Sequence, residues 1–383
     1  MMKAQRKTKA SLNPLERLQD CGQAVWLDFL ARRFIAEGGL SKLIEQDGLT
    51  GVTSNPSIFE KAIAGSAEYD SSLKTVETQG DCDVMALYER LAIEDIQHAA
   101  NVLRPVYDAT DSRDGYVSLE VSPYLAMSTE ATVVEARRLW LAVARDNLMI
   151  KVPATKPGLP AIRQLIGEGI NVNITLLFSQ HVYEEVVEAY LAGIEHLVGR
   201  GGDASKIASV ASFFVSRIDV SVDKLIEERL RQTNEVDKRH ALTGLRGKIA
   251  IANAKLAYQR YKHLFAGARW EKLRAKGARV QRLLWASTGM KNKDYSDVLY
   301  VEELIAPDTV NTIPPATMDA FRDHGKVRLS LEEDIDQAKQ VMAALDRSGI
   351  SIDAVTAKLI DEGVQLFADA FDNLLGAVAR KRV

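Results

Sequence analysis

Eight short runs of β-branched or apolar residues recur along the chain with longer stretches of helical periodicity between them, and this alternation constrains the fold most. The runs are Ala24 to Asp28, Gly48 to Thr53, Tyr116 to Val121, Leu148 to Val152, Val172 to Leu177, Ile207 to Phe213, Val280 to Ala286 and Thr309 to Ile313. A strand followed by a helix, repeated, predicts parallel pairing, because parallel neighbours need a long crossover. Eight such units suggest a closed barrel, although an open doubly wound sheet carries the same local signals.

At 383 residues the chain is long for one average domain, but barrels of this kind reach that size as one unit once insertions are counted. Two connections exceed a minimal unit: Asn55 to Gly115, and Asp219 to Arg279 with the strongly helical Gly247 to Phe265. Both are expected to add helices to a single domain running from residue 13 to 383, behind a frayed basic tail from Met1 to Leu12. Near the end, Ile360, Val364, Phe367, Phe371, Leu374 and Val378 are spaced as one apolar stripe on a long helix, which must bury that stripe, most simply against the barrel.

The formal net charge of −3 gives no global attraction to nucleic acid or membrane, so an anionic ligand would have to be held by local cations. No run of about 18 uncharged apolar residues occurs, so no membrane span is expected. The tail lacks the apolar segment of a secretory signal, and Cys21 and Cys82 stand in no metal or redox spacing; together these predict a cytoplasmic protein. His98, His181, His196, His240, His263 and His324 are expected at the surface, and neither a metal nor a nucleotide cofactor is expected, since no HExxH, GxGxxG or GxxxxGK[ST] motif occurs.

The functional signal emerges when each strand is split into its alternating faces. Val25 and Leu27 oppose Trp26 and Asp28; Val117, Leu119 and Val121 oppose Ser118 and Glu120; Ile150 and Val152 oppose Met149, Lys151 and Pro153; Val172, Ile174 and Leu176 oppose Asn171, Asn173 and Thr175. The second run ends with Thr53 and Asn55 on one face. In a barrel, the face turned from the helices is the interior, which puts Asp28, Asn55, Glu120, Lys151, Asn173 and Thr175 inside near strand ends. Burying unpaired charge costs several kcal/mol, so such a set is better explained as a site at the carboxyl-terminal mouth than as a core. Taken singly, each residue has a bland alternative: Asp28 as a helix cap, Asn55 as a turn residue in Ser54-Asn55-Pro56, Lys151 as a lysine paired with Glu120.

The segments Trp26-Leu27-Asp28, Gly51-Val52-Thr53-Ser54-Asn55-Pro56-Ser57-Ile58-Phe59, Ser118-Leu119-Glu120-Val121-Ser122-Pro123, Ile150-Lys151-Val152-Pro153-Ala154-Thr155, Asn173-Ile174-Thr175-Leu176-Leu177-Phe178, Ser212-Phe213-Phe214-Val215-Ser216-Arg217 and Trp285-Ala286-Ser287-Thr288 occur in this order, each at a predicted strand end. With them the chain resembles the transaldolases, in particular their longer bacterial subgroup, from about Asn13 onward. The resemblance implies a (β/α)₈ barrel that moves a dihydroxyacetone unit between sugar phosphates through a Schiff base on Lys151, without a cofactor. It further implies Asp28 as general acid/base, Glu120 and Thr175 as the pair that positions a water, and Asn55 and Asn173 as amides that hold the substrate hydroxyls. Ser212, Phe214, Arg217 and Ser287 fit substrate and phosphate contacts. The family's second phosphate-binding cation follows the seventh strand, where this chain has no arginine; Lys291 stands in its place, with Lys293 as the alternative. The nearest rival activity is that of a fructose 6-phosphate aldolase, which tends to carry glutamine at the position of Glu120 and tyrosine at that of Phe214, on a shorter chain. A barrel that only binds sugar phosphates is a more distant reading, disfavoured by an interior amine beside two acids.

Overall fold

The computed structural model describes residues 12–70 and 83–381. Of the expected tail only Leu12 is among them, and Cys82 also lies outside the described residues. All eight expected strands form: β1 (Gln23–Leu27), β2 (Gly51–Val52), β3 (Tyr116–Glu120), β4 (Leu148–Pro153), β5 (Val172–Leu177), β6 (Ser209–Phe214), β7 (Arg282–Ala286) and β8 (Thr309–Ile313). Each pairs in parallel with its successor and β8 pairs with β1, which settles the choice between an open sheet and a closed barrel in favour of the barrel. The main departure is β2, expected from Gly48 but reduced to two residues. Gly48, at a φ of 65°, ends the helix Gly39–Asp47, and the chain then reaches β1 by single bonds, Thr50 N to Val25 O at 2.8 Å and Thr53 N to Leu27 O at 2.9 Å.

Strand alternation sorts the residues as the two-residue period requires. Val25, Val52, Val117, Ile150, Val152, Val172 and Ile174 are all fully buried, on the strand face turned to the surrounding helices. Inside the barrel the bulky filler is Trp26, aligned in register with Gly51. A Cβ on Gly51 would come within 2.5 Å of the indole, so the first glycine of the Gly51-Val52-Thr53 segment makes room for a rigid ring. Near the amino-terminal end of the barrel, Arg282 is buried but paired with Asp114 at 2.9 Å, so that charge is compensated.

β5 carries an irregularity next to the site. Leu176 adopts a φ of 55°, which is uncommon for a leucine, and the β5–β6 register shifts between Ile174 and Leu177. Its side chain is directed at Gly363 of the last helix, where a Cβ would lie 2.7 Å from Leu176 Cδ2. That helix, Ile352–Lys381, buries Val355, Leu359, Phe367, Phe371, Leu374 and Val378. The expected stripe is therefore present, although its first half runs through Val355, Leu359 and Gly363, with Ile360 and Val364 only partly buried at its flank. The long connections also hold helices as expected, Pro56–Ala64 and Val84–Ala109 after β2, and Ser216–Gln232, Val236–Thr243, Ile249–Leu264 and Ala268–Arg274 after β6.

Candidate active site

The carboxyl ends of the strands surround a pocket of about 160 Å³ whose lining includes Asp28, Asn55, Lys151, Thr175, Ser212, Phe214, Arg217, Ser287 and Lys291. Nine of the eleven residues singled out from sequence thus converge on one cavity, from six different strands or the loops that follow them. Of the other two, Glu120 touches the site through Lys151, and Asn173 lies beside Lys151 without lining the cavity.

Lys151 projects from the middle of β4, in register with Glu120 on β3 and Asn173 on β5, so the three side chains share the interior face. Its Nζ donates to the backbone oxygen of Ser54 at 3.1 Å and stands 3.6 Å from Glu120 Oε2, and its side chain is only 6% exposed. The amine has not snorkelled to solvent; the pairing with Glu120 exists, but at a length that leaves the shorter contact to a neutral carbonyl. Burial pushes the Glu120 carboxyl up to about 6, against the opposing pull of Lys151. Glu120 Oε2 and Thr175 Oγ1 are both buried and neither has a hydrogen-bond partner among the described residues. Buried polar groups are nearly always satisfied, so both atoms keep hydrogen-bonding capacity for a small polar partner.

Asp28 directly follows β1 and is held by its backbone N–H to Ile313 O at 3.0 Å and by Thr53 Oγ1, which donates to its carboxylate at 2.8 Å. Thr53 also contacts Thr312 Oγ1 at 2.7 Å, which ties three strand ends together around this acid. Burial raises the Asp28 carboxyl above its ordinary range, while Lys151, the Thr53 bond, Lys291 and Arg217 work to lower it. The helix-cap alternative does not apply: no helix begins at Asp28, the next being Arg32–Ala36, capped at Ala31.

Asn55 serves two purposes. Its Oδ1 caps the helix Pro56–Ala64 by accepting from Ile58 N at 3.0 Å, so the turn alternative holds for half of the side chain, while the residue also lines the pocket. Asn173 is fully buried; its Nδ2 donates to Ser118 Oγ at 2.9 Å and its Oδ1 accepts from Ser212 Oγ at 2.6 Å. It is absent from the pocket lining and instead joins β3, β5 and β6 beside Lys151, its register partner.

The other end of the pocket is cationic. Arg217 lies in the first turn of the helix Ser216–Gln232, where the helix dipole favours an anion. Its guanidinium lies 5.2 Å from the Phe214 ring and 6.0 Å from the Phe367 ring, and it makes no ion pair among the described residues. Burial depresses its pKa, with Asp28 and Glu120 opposing. The neighbouring Asp219 is committed elsewhere: it accepts from Ala250 N at 2.8 Å and from Tyr300 Oη at 2.8 Å. Ser287, at a φ of 57°, turns its hydroxyl to Ser216 Oγ at 2.9 Å at the rim of the same helix. Lys291 lines this pocket, whereas Lys293 lines only the open groove outside it, so geometry separates the two candidates.

Sequence reasoning passed over Thr53, Ala286, Gly289, Thr312, Pro314 and Phe367 as lining residues. Thr312 shares its strand with a second polar residue, Asn311, and only its register with Trp26 places it on the interior face. All six histidines are exposed, and among the described residues no group of three or more histidine, cysteine or acidic side chains could hold a metal ion. None of the described helices is long and apolar enough to cross a membrane.

A (β/α)₈ barrel with a buried amine beside one raised carboxyl and in one small pocket with a second, and with a guanidinium free of ion pairs lining the same pocket, has the parts for imine chemistry on a phosphorylated carbonyl compound. The family model for transaldolase/fructose-6-phosphate aldolase matches residues 25–378, and the chain belongs to that family. It is 46% identical over 374 residues to Transaldolase 2 of Nostoc sp. (strain PCC 7120), covering 97% of this chain and 98% of that protein. It is 48% identical to the Transaldolase of Thermobifida fusca, over 96% of this chain and 98% of the relative. With Transaldolase 1 of Streptomyces coelicolor it shares 49% identity, over 97% of this chain and 95% of the relative.

Proposed function

We propose that this protein is a transaldolase that uses Lys151 as its Schiff-base lysine. The donor is sedoheptulose 7-phosphate, the acceptor glyceraldehyde 3-phosphate, and the products are erythrose 4-phosphate and fructose 6-phosphate, in a reversible step of the pentose phosphate route in the cytoplasm. The observation that carries the reading is the buried Lys151 amine beside Glu120, with Asp28 and Arg217 lining the same small pocket.

In this reading the Lys151 amine attacks the C2 carbonyl of the donor. Glu120 and Thr175 take up the water that imine formation releases and present it again for hydrolysis; their unused hydrogen-bonding capacity supports that task. Asp28 accepts the proton of the C4 hydroxyl as the C3–C4 bond breaks, then returns it to the acceptor oxygen; its raised carboxyl suits a group that must both take and give a proton. Asn55, with Oδ1 engaged by the helix, keeps its amide N–H₂ for a substrate hydroxyl. Arg217, Lys291, Ser287 and the helix amino terminus hold the phosphate, and Phe214 flanks the guanidinium. For Asn173 the hydrogen bonds support a different task from the one its position in the family motif implies: it orients Ser212. The aldolase alternative within the same family is disfavoured by Glu120 and Phe214, and all three relatives described above carry the transaldolase name.

The test is borohydride reduction in the presence of fructose 6-phosphate, followed by peptide mass analysis. One dihydroxyacetone-derived group is expected on the peptide containing Lys151, and Lys151→Met, similar in volume but lacking the amine, should lose both adduct and turnover. An adduct retained on another lysine would refute the assignment.

A further inference from the structure

One pocket-lining side chain has no task in the scheme above and comes from outside the barrel. Phe367, on the last helix, is buried with its ring centroid 5.9 Å from Lys151 Nζ and 6.0 Å from the Arg217 guanidinium carbon. A single ring therefore spans the carbonyl end and the phosphate end of the cavity. The helix that brings it there is fastened on both sides of this position. Before it, Gly363 receives the Leu176 side chain, which the unusual β5 backbone turns outward. After it, Phe371 packs edge-on against Tyr88 at 5.3 Å and Tyr124 at 5.8 Å, Asp372 accepts from the Tyr124 hydroxyl, and Lys381 pairs with Asp70 at 2.9 Å. A ring held this firmly against the reacting amine does more than fill space.

We infer that Phe367 determines the outcome of the reaction by sealing the Lys151 end of the pocket against water, so that the three-carbon intermediate is transferred and not released. This rests on the imine chemistry proposed for Lys151. After the C3–C4 bond breaks and the aldose phosphate leaves, the remaining enamine has two fates. Its nucleophilic carbon forms a new bond to an acceptor aldehyde, whose oxygen takes the proton held by Asp28. Alternatively, that carbon takes a proton from solvent water, the hydroxide left behind is neutralised by the proton that Asp28 holds, and hydrolysis of the resulting imine frees dihydroxyacetone and restores the amine. The water consumed in that hydrolysis equals the water released when the imine formed, so the one step of the second path that draws on bulk solvent is the protonation of the carbon. An apolar ring over the amine disfavours solvent access and thereby the second path. It also keeps a π face within cation–π reach of the iminium.

The experiment uses the full chain with fructose 6-phosphate, with and without erythrose 4-phosphate, and measures free dihydroxyacetone against transfer product. The variants are Phe367→Leu and Phe367→Ala, with Leu374→Ala as a control on the same helix, since Leu374 is fully buried but does not line the pocket. The ratio of release to transfer is expected to rise on the order of 10-fold in Phe367→Ala and less in Phe367→Leu, with no change in the control. In heavy water the released dihydroxyacetone should carry deuterium on the carbon formerly bonded to C4. Should the alanine variant fail to fold, the leucine variant decides. A wild-type ratio in folded Phe367→Leu, or an equal rise in Leu374→Ala, overturns the inference while leaving a Lys151 adduct in place. Absence of that adduct in the wild type overturns the underlying reading as well.

Discussion

Replacing Arg217 by alanine separates substrate recognition from structure, because the environment of this residue gives the two roles different magnitudes. Among the described residues it makes no hydrogen bond or ion pair and has two ring faces at 5.2 and 6.0 Å, and Asp219, the nearest carboxylate in sequence, is engaged by Ala250 and Tyr300. Cation–π contacts of this kind are worth ~0.5–1 kcal/mol each, so the two ring contacts together contribute about 1–2 kcal/mol to the folded state. A guanidinium gripping a phosphate through two charge-assisted bonds is worth ~2–4 kcal/mol, or roughly 30- to 1000-fold in kcat/KM. Arg217→Ala should therefore remain folded and lose that factor on fructose 6-phosphate, while using unphosphorylated fructose about as poorly as the wild type does. Arg217→Lys, which keeps the charge but not the planar fork, should fall between the two. Steady-state kinetics on both donors, beside thermal unfolding, make the measurement. Equal proportional losses on the two donors would refute the reasoning, and Lys291 would be the next cation to test.

Asp28→Asn should still trap the imine with borohydride but lose cleavage by ~10²–10⁴-fold, whereas Glu120→Gln should slow trapping itself; rapid trapping in the glutamine variant would argue against a role with water. Since burial raises Glu120 from 4.5 to about 6, its active carboxylate is lost as pH falls through about 6, and imine formation should decline there in the wild type but lose that limb in Glu120→Gln. The sign for stability is opposite: folding strengthens proton binding at Glu120, so its contribution is complete below 4.5 and is lost as pH rises through about 6. Gly51→Ala should lower the urea midpoint by the equivalent of ~1–3 kcal/mol, because its methyl group must displace the Trp26 ring; an unchanged midpoint would show that the barrel interior can yield there.

The eight strands were legible because each is short, apolar and bounded by helical periodicity, and the alternation of faces fixes which side chains turn inward. That is why the sequence alone marks Asp28, Glu120, Lys151 and Thr175 as interior residues. Register was not legible. Whether Asn173 meets the pocket or lies outside it depends on neighbouring strands, and two serines that flank it, Ser118 and Ser212, take up its amide. The bulge at Leu176 is equally silent, since nothing in Thr175-Leu176-Leu177 announces a leucine with positive φ.

Phe367 shows a more general limit. On a strand, a polar residue inside a barrel contradicts the expected core and so advertises a site, but an aromatic residue on the apolar stripe of a helix contradicts nothing. Phe367 and Phe371 are one turn apart on that stripe and both are buried, yet one lines the pocket over Lys151 and the other packs between Tyr88 and Tyr124. The difference arises because the last helix lies against the mouth of the barrel and not only along its side, a placement supported by the fit of Gly363 against Leu176. The strands thus supply groups whose chemistry is visible in their identity. The helix supplies one whose contribution is visible only in its position, and it is there that the proposed choice between transfer and release is made.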